Sequence, residues 1–391
     1  MNSNSKQESI QISVVMPCLN EERSIGVCIQ NAQKALEKTG ESWEIIIVDN
    51  GSTDRSVQIA ESLGVRIVHE PLRGYGNAFI KGISLCRGQI IIMGDSDNTY
   101  DFSQLERFIQ PLRKGADVVI GNRFKGSIRP GAMPWLHRYI GNPLLSRILN
   151  LLFHTGAGDA HCGMRSFKRE VFLKLDLEAS GMEFASEMII KAARMNFKIE
   201  EVPIDYFPRP KESVSKLRSF QDGWRHLRFM LLYSPTWLFL IPGFGLMGTG
   251  LLLLLSLVWG PLQIGDIFLD FHFMALGSLL AILGIQVIML GVYAKVYAGT
   301  NDLEPSSRLF RFIKRHFTLE RGVLSGAVFF LTGLGINLYI LVLWLSIGFQ
   351  GQLHIREAVF AMTFMVIGAQ IVFSSFFISV LGADGRKIKT Q

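Results

Sequence analysis

Beyond Ser234–Pro235 the chain runs apolar for 20 or more residues four times, at roughly 236–259, 272–294, 323–348 and 357–381. Each run is long enough to cross the ~30 Å hydrocarbon layer as a helix, and no soluble core needs four in succession. The connection 295–322 carries Lys295, Arg308, Arg311, Lys314, Arg315 and Arg321, and the tail carries Arg386, Lys387 and Lys389. The opposite connections, 260–271 and 349–356, contain only Arg356. Cytoplasmic connections collect lysine and arginine, so the long connection, the tail and everything before the first span are expected in the cytoplasm. Gly243, Gly245, Gly248 and Gly250 in the first run and Gly333 and Gly335 in the third favour close helix packing. Ordinary membrane-helix composition explains them better than a specific dimer motif, and a homo-oligomer stays open.

The 391 residues exceed what one core usually holds, and up to about Tyr233 the composition is that of a globular enzyme. The net charge of +7 gathers around the apolar runs, which suits a membrane surface and not a nucleic-acid groove. Cys18, Cys28, Cys86 and Cys162 share no metal-ligand spacing and read as reduced thiols. The polar start MNSNSKQESIQ has no apolar h-region, so no signal peptide is expected.

In this first part, short β-branched runs alternate with helical patterns. ISVVM (12–16), EIIIVD (44–49), VRIVH (65–69), QIIIM (89–93) and ADVVI (116–120) are the expected strands. Asn20 is expected to cap a helix carrying Ile25, Ile29, Ala32 and Leu36, with Gly40 ending it. Strands buried on both faces and separated by helices predict a Rossmann-like, mainly parallel α/β sheet. Ligands bind such sheets at the carboxyl ends of the strands. Three polar loops belong at that rim: PCLNEE (17–22), DNGSTD (49–54) and GDSDNTYD (94–101).

Asp95 and Asp97 stand two apart, so in extended chain both carboxylates leave the same side and suit a hard divalent cation such as Mg²⁺ or Mn²⁺. An Asx-rich turn would need no metal. Their place after a buried strand, beside two further polar loops, favours the metal. Asp49 ends a buried strand, where a carboxylate is costly unless hydrogen-bonded, and a nucleobase could supply the bonds. Asp54 and Asp101 are expected to cap the helices that follow them.

PCLNEE, VDNGSTD and GDSD, in this order, resemble the family 2 glycosyltransferases of the GT-A fold. GNRF (121–124), GDAHCGMRSF (158–167), GMEFASEM (181–188) and WRHLRF (224–229), followed by membrane helices, are similar to the dolichol-phosphate mannose synthase and bacterial polyprenyl-phosphate glucosyltransferase branch. The resemblance implies inverting, metal-dependent transfer of a hexose from a nucleotide sugar to a polyprenyl phosphate at the cytoplasmic membrane face, for glycan assembly. UDP-glucose is the favoured donor and GDP-mannose the alternative. By position, Pro17, Asn20, Glu21 and Asp49 would hold the nucleotide, Asp95 the ribose or diphosphate, and Asp97 the metal. Arg123 would hold the acceptor phosphate, and Asp159 would sit near sugar or metal. Many relatives have two aspartates where this chain has Asp49–Asn50, and differ around Asp95–Ser96–Asp97–Asn98, so the third metal ligand and the base preference stay open. The resulting division is a flexible N-terminus (1–10), a GT-A domain (11–210), a juxtamembrane helix (211–235), a four-helix transmembrane domain (236–382) and a cytoplasmic tail (383–391).

Between GNRF and GDAHCG, residues 125–156 carry an apolar face of Trp135, Leu136, Tyr139, Ile140, Leu144, Leu145, Ile148, Leu149 and Leu152. With Arg138 and Arg147 at its edges, this face is expected to contact the membrane and not to pack as a core helix. Gly141 and Pro143 are expected to break it in two. A phosphate monoester is largely ionised at neutral pH, its second pKa being about 6, so no strong general base is required. Arg123, with Lys125, Arg129 or Arg138 and the metal, would hold the acceptor and the departing diphosphate. Glu183 and Glu187, one helical turn apart, are candidates for sugar hydroxyls, Glu187 ahead; a solvated helix face is the plain alternative. His161–Cys162 is expected to be structural. GYGNAF (74–79) lacks the third glycine of a dinucleotide fingerprint. QDGWR (221–225) inverts the order expected of a processive polysaccharide synthase, and the spans hold almost none of the charges of a transporter.

Overall fold

The computed structural model describes residues 10–210, 219–300, 312, 315, 318–348 and 354–387. The expected flexible N-terminus, Arg308, Arg311, Lys314, Lys389 and the first part of the expected juxtamembrane helix lie outside the described residues. The chain divides after Met230 into two compact units.

The first unit opens with β1 (Ile12–Cys18), α1 (Ile25–Glu37), β2 (Trp43–Asp49), α2 (Ser56–Ser62), β3 (Arg66–His69), α3 (Tyr75–Ser84) and β4 (Ile90–Met93). β1, β2, β3 and β4 pair in parallel, in the order β3-β2-β1-β4. The β-branched runs account for this: Ile46, Ile47, Val48, Ile91 and Ile92 are wholly buried, as a sheet covered on both faces requires. A 3₁₀ turn (Phe102–Gln104), α4 (Glu106–Arg113) and β5 (Val118–Asn122) follow. Then come a π-helical turn (His137–Gly141), α5 (Asn142–Phe153), β6 (Arg165–Lys168), α6 (Arg169–Leu175), α7 (Phe184–Arg194), β7 (Ile199–Pro203) and α8 (Ser219–Leu232). β6 inserts antiparallel between β4 and β5, and β7 closes the sheet parallel to β5. Because β6 runs backwards, the residues entering it come from the same rim as those leaving β4 and β5.

Two expectations are corrected. Asn20 does not cap α1, whose cap position is Ser24. Asn20 adopts a left-handed conformation, φ 55°, which asparagine tolerates, and its side chain reaches across to the next loop. Gly141 and Pro143 do not split the 137–153 helix. Pro143 falls in the first turn of α5, where its missing N–H is not needed, and the π turn before it keeps the chain helical.

The second unit contains α9 (Ile241–Leu257) after a π turn (Thr236–Leu240), then β8 (Leu262–Ile264) and β9 (Ile267–Leu269), α10 (Phe271–Thr300), α11 (Leu319–Ser346) and α12 (Ile355–Lys387). Among the described residues four helices are long and apolar enough to span a membrane: Thr236–Leu257, Phe271–Gly299, Leu319–Ser346 and Ile355–Leu381. β8 and β9 form a small hairpin in the connection between the first two, which the hydropathy gave no reason to expect. Glycines sit at the seams. A Cβ on Gly250 would meet Ala281 N at 2.3 Å, and one on Gly284 would meet Met247 N at 2.4 Å. Gly333 and Gly368 bring α11 and α12 equally close, whereas Gly245, Gly248 and Gly335 have nothing within 4 Å.

Candidate active site

Neighbouring strands β1 and β4 send their following helices to opposite parts of the sheet, which places a crevice at their carboxyl ends. The loops there are laced together. Thr53 N–H donates to Asn20 Oδ1 at 2.7 Å, Asn20 N–H to Ser52 Oγ at 3.0 Å and Glu21 N–H to Ser56 Oγ at 2.7 Å. Ser96 Oγ donates to the Pro17 carbonyl at 2.6 Å, tying the loop after β4 to β1. Pro17, Asn20 and Glu21 therefore share one rim with Asp49 and Asp95.

Asp49 Oδ1 accepts the Ser52 N–H at 2.9 Å, and Oδ2 lies 3.2 Å from His69 Nδ1. Burial pushes this carboxyl up, but the Ser52 hydroxyl and N–H and the His69 ring outweigh it and hold it below its usual range. Asn50 explains why a second aspartate is absent here: its Nδ2 donates to the Glu70 and Leu72 carbonyls at 2.8 and 2.9 Å, while Oδ1 accepts the Gly74 N–H. A carboxylate cannot donate either bond.

Asp97 Oδ1 accepts the Thr99 N–H and hydroxyl at 3.0 and 2.5 Å, and Oδ2 lies 2.6 Å from Arg209 Nη2. Asp95 is pushed up to about 7, first by burial and then by the charge of Asp97, against the Tyr75 hydroxyl, Arg209 and Arg123. Its Oδ1 is buried without a hydrogen-bond partner. No group of three His, Cys, Asp or Glu side chains able to hold a metal occurs among the described residues. The orphaned oxygen and the mutual repulsion of two acids nevertheless fit a hard divalent ion on Asp95 and Asp97.

The other expected residues fall into two groups. Arg123 and Asp159 meet: Nε–Oδ2 is 2.7 Å, Nη2–Oδ1 is 2.8 Å, and the Arg123 N–H also reaches Oδ2. Arg123 also lies over the Tyr206 ring. Lys125 pairs with Glu201 at 2.7 Å, Arg129 lies over Phe207, and Arg138 over Tyr139. Trp135 and Tyr139 are 65% and 59% exposed, so this face of the 125–156 segment is no core helix, although Leu149 is wholly buried.

Glu187 is neither a solvated helix residue nor an open sugar ligand. It is buried, its oxygens accepting the Glu178 and Ala179 N–H groups and pairing with Lys191 at 2.8 Å. Glu183, by contrast, has an oxygen to spare, a buried Oε2 without a hydrogen-bond partner. His161 and Cys162 are interior, His161 packing edge-on against His226 at 4.5 Å between ring centroids.

Three residues escaped the sequence reading. Tyr75 hydrogen-bonds Asp95, Arg209 pairs with Asp97, and wholly buried Arg165 donates to the Cys162, Ala160 and Ala185 carbonyls. GYG did carry a signal for Tyr75. A Cβ on Gly76 would sit 1.9 Å from the Ala179 carbonyl, so the glycines mark a close backbone approach.

The description Glycosyl transferase family 2 matches residues 13–176, and Glycosyltransferase family 2 C-terminal transmembrane region matches residues 292–382. The low-salt glycan biosynthesis hexosyltransferase Agl6 of Haloferax volcanii is 40% identical over 373 residues, covering 95% of this chain and 89% of that protein. The chain belongs to the family 2 glycosyltransferases. The dolichyl-phosphate hexose transferase of Haloferax volcanii is 32% identical over 215 residues, 54% of this chain and 89% of that protein. Among solved structures, glucosyl-3-phosphoglycerate synthase of Mycobacterium tuberculosis gives a TM-score of 0.45 at 22% identity, covering 57% of this chain and 79% of that one. This family 2 glycosyltransferase has a mainly parallel α/β domain followed by a unit in which the described residues form four span-length helices.

Proposed function

We propose that this glycosyltransferase moves a hexose from a nucleotide sugar, UDP-glucose before GDP-mannose, to a polyprenyl phosphate at the cytoplasmic face of the membrane. The single observation that carries the reading is the Asp95–Asp97 pair at the β1/β4 crevice, with the buried, unpartnered Oδ1 of Asp95. The four span-length helices and the likeness to a dolichyl-phosphate hexose transferase support a lipid acceptor.

Mg²⁺ or Mn²⁺ held by Asp95 and Asp97 would supply positive charge to the diphosphate as it leaves. Asp49, kept ionised, is the acceptor for nucleobase N–H groups, and Pro17, Asn20 and Glu21 shape the walls around it. The acceptor phosphate needs no base, so the chain's task is placement. Asp159 clamps Arg123 through Nε and Nη2, which leaves Nη1 as its contact for the acceptor. Lys125, Arg129 and Arg138 extend that positive charge towards the exposed apolar face, which we assign to the bilayer interface. The phosphate oxygen bonds to C1 as the C1–O bond to the diphosphate breaks, inverting the anomeric centre. Glu183 is the better placed glutamate for a sugar hydroxyl. The lysine and arginine bias of the connections supports a cytoplasmic location for both termini.

Membranes containing the enzyme, given labelled nucleotide sugars, a polyprenyl phosphate and Mg²⁺ or Mn²⁺, should label the lipid, UDP-glucose best. If no donor labels it, or if Asp97→Ala labels it equally well, the reading fails.

A further inference from the structure

Arg209 comes from the segment after β7 and meets acids from two other loops. Its Nη2 lies 2.6 Å from Asp97 Oδ2, and Glu21 and Asp95 also act on its charge. The remaining oxygen of Asp97 is taken by Thr99, whose N–H and hydroxyl both donate to Oδ1. One guanidinium thus occupies the open side of the acid pair that fits a divalent cation.

We propose that Arg209 is a place-holding cation at Asp97 Oδ2, which the metal displaces and which the donor's phosphates then accept. The proposal rests on the reading of Asp95 and Asp97 as the metal-binding pair. A guanidinium and a divalent ion repel one another and cannot share one carboxylate oxygen, so each weakens binding of the other. Once displaced, Arg209 stays beside the crevice as a forked donor suited to phosphate oxygens. The diphosphate therefore helps the metal by giving Arg209 a new partner. By linkage, metal and nucleotide must raise one another's affinity by the same factor. Arg209 is in this sense a binding residue for donor and an antagonist of metal, and it makes metal loading depend on the donor being present.

The test uses the purified full-length enzyme in detergent micelles and Mn²⁺, with free Mn²⁺ read from its electron paramagnetic resonance signal. UDP and GDP serve as nucleotides without a sugar to transfer, and the Mn²⁺ they bind in solution is subtracted. In the parent enzyme, UDP or GDP should tighten Mn²⁺ binding on the order of tenfold, within the usual range for coupled sites. Arg209→Gln should bind Mn²⁺ alone about tenfold more tightly than the parent, and the enhancement by nucleotide should shrink to the part that direct contact between metal and diphosphate supplies. Arg209→Lys, which keeps the charge, should stay close to the parent for Mn²⁺ alone. Equal or weaker Mn²⁺ binding by Arg209→Gln overturns the proposal. So does independent binding of Mn²⁺ and both nucleotides to the parent, which needs no substitution at all. An Asp97→Asn enzyme that binds Mn²⁺ as well as the parent would instead defeat the metal reading beneath it.

Discussion

Arg123 and Asp159 form a two-point ion pair whose side chains are 7% and 0% exposed. Burial alone would push the Arg123 pKa down, and the Asp159 carboxylate outweighs it and pushes it well above its usual value, so the pair is held as two full charges. Asp159→Ala strands that charge, and removing one partner of a buried pair costs about 3–5 kcal/mol. Thermal unfolding in detergent should show the loss. The double variant Arg123→Met/Asp159→Leu should recover most of the stability without recovering transfer.

Asn50 is the departure from the two-aspartate pattern that the fold explains. Asn50→Asp sets a carboxylate against the Glu70 and Leu72 carbonyls, which lose their donor. Unmade buried bonds of this kind cost roughly 1–3 kcal/mol. A lower denaturation midpoint should accompany weaker nucleotide binding, since Asp49 is the adjoining residue. An unchanged midpoint would contradict the bonding described.

Glu187→Ala separates support from substrate contact. Its loss leaves the Glu178 and Ala179 N–H groups without their acceptor and Lys191 without its ion-pair partner, so stability should fall by about 2–4 kcal/mol. The fraction that remains folded should keep the parental KM for donor. Glu183→Ala should do the reverse, raising that KM with little change in unfolding temperature.

Asp95 gives the protein a pH dependence of definite sign. The folded carboxyl titrates at about 7, the unfolded one near 3.8. Between these values the native state binds more protons, so stability falls as pH rises and the loss is complete above pH 7. Asp95→Asn has no such proton to lose. It should match the parent near pH 4 and unfold several degrees higher at pH 8, at about 2–4 °C per kcal/mol for a domain this size. Parallel curves for the two proteins would contradict the buried, unpartnered oxygen.

Much of the sheet was legible because its signal is local. EIIIVD and QIIIM have no other home than a covered strand, and three polar loops after such strands mark a rim. The antiparallel β6 was not legible: RSFK is short and mixed, and its direction is fixed by the strands it pairs with, not by its own pattern. Side-chain roles were harder still. Asn20 looked like a cap because asparagine before an apolar stripe often is one, yet its partner is Thr53 on another loop. Glu187 looked like a sugar contact or half of a surface pair, and tertiary packing gave its oxygens to the chain before α7. Arg209 stands in PRP, with nothing nearby in sequence to announce an aspartate more than a hundred residues earlier.

The glycines at the helix seams recur every seventh residue: Gly243 and Gly250, Gly277 and Gly284, Gly326 and Gly333. Each series faces the helix next to it along the chain, so α9 with α10 and α11 with α12 are sequence-local hairpins. Backbones in contact have no side-chain freedom to lose, and short connections cost little to close. Each hairpin therefore has the means to form as its second helix emerges, before the rest of the bundle exists. The two hairpins meet along α10 and α12, where Ser278 bonds Thr363 at 2.7 Å and Tyr293 bonds Ser374 at 2.6 Å. The spacing thus divides the bundle into two sequence-local halves, joined to one another by polar latches between α10 and α12.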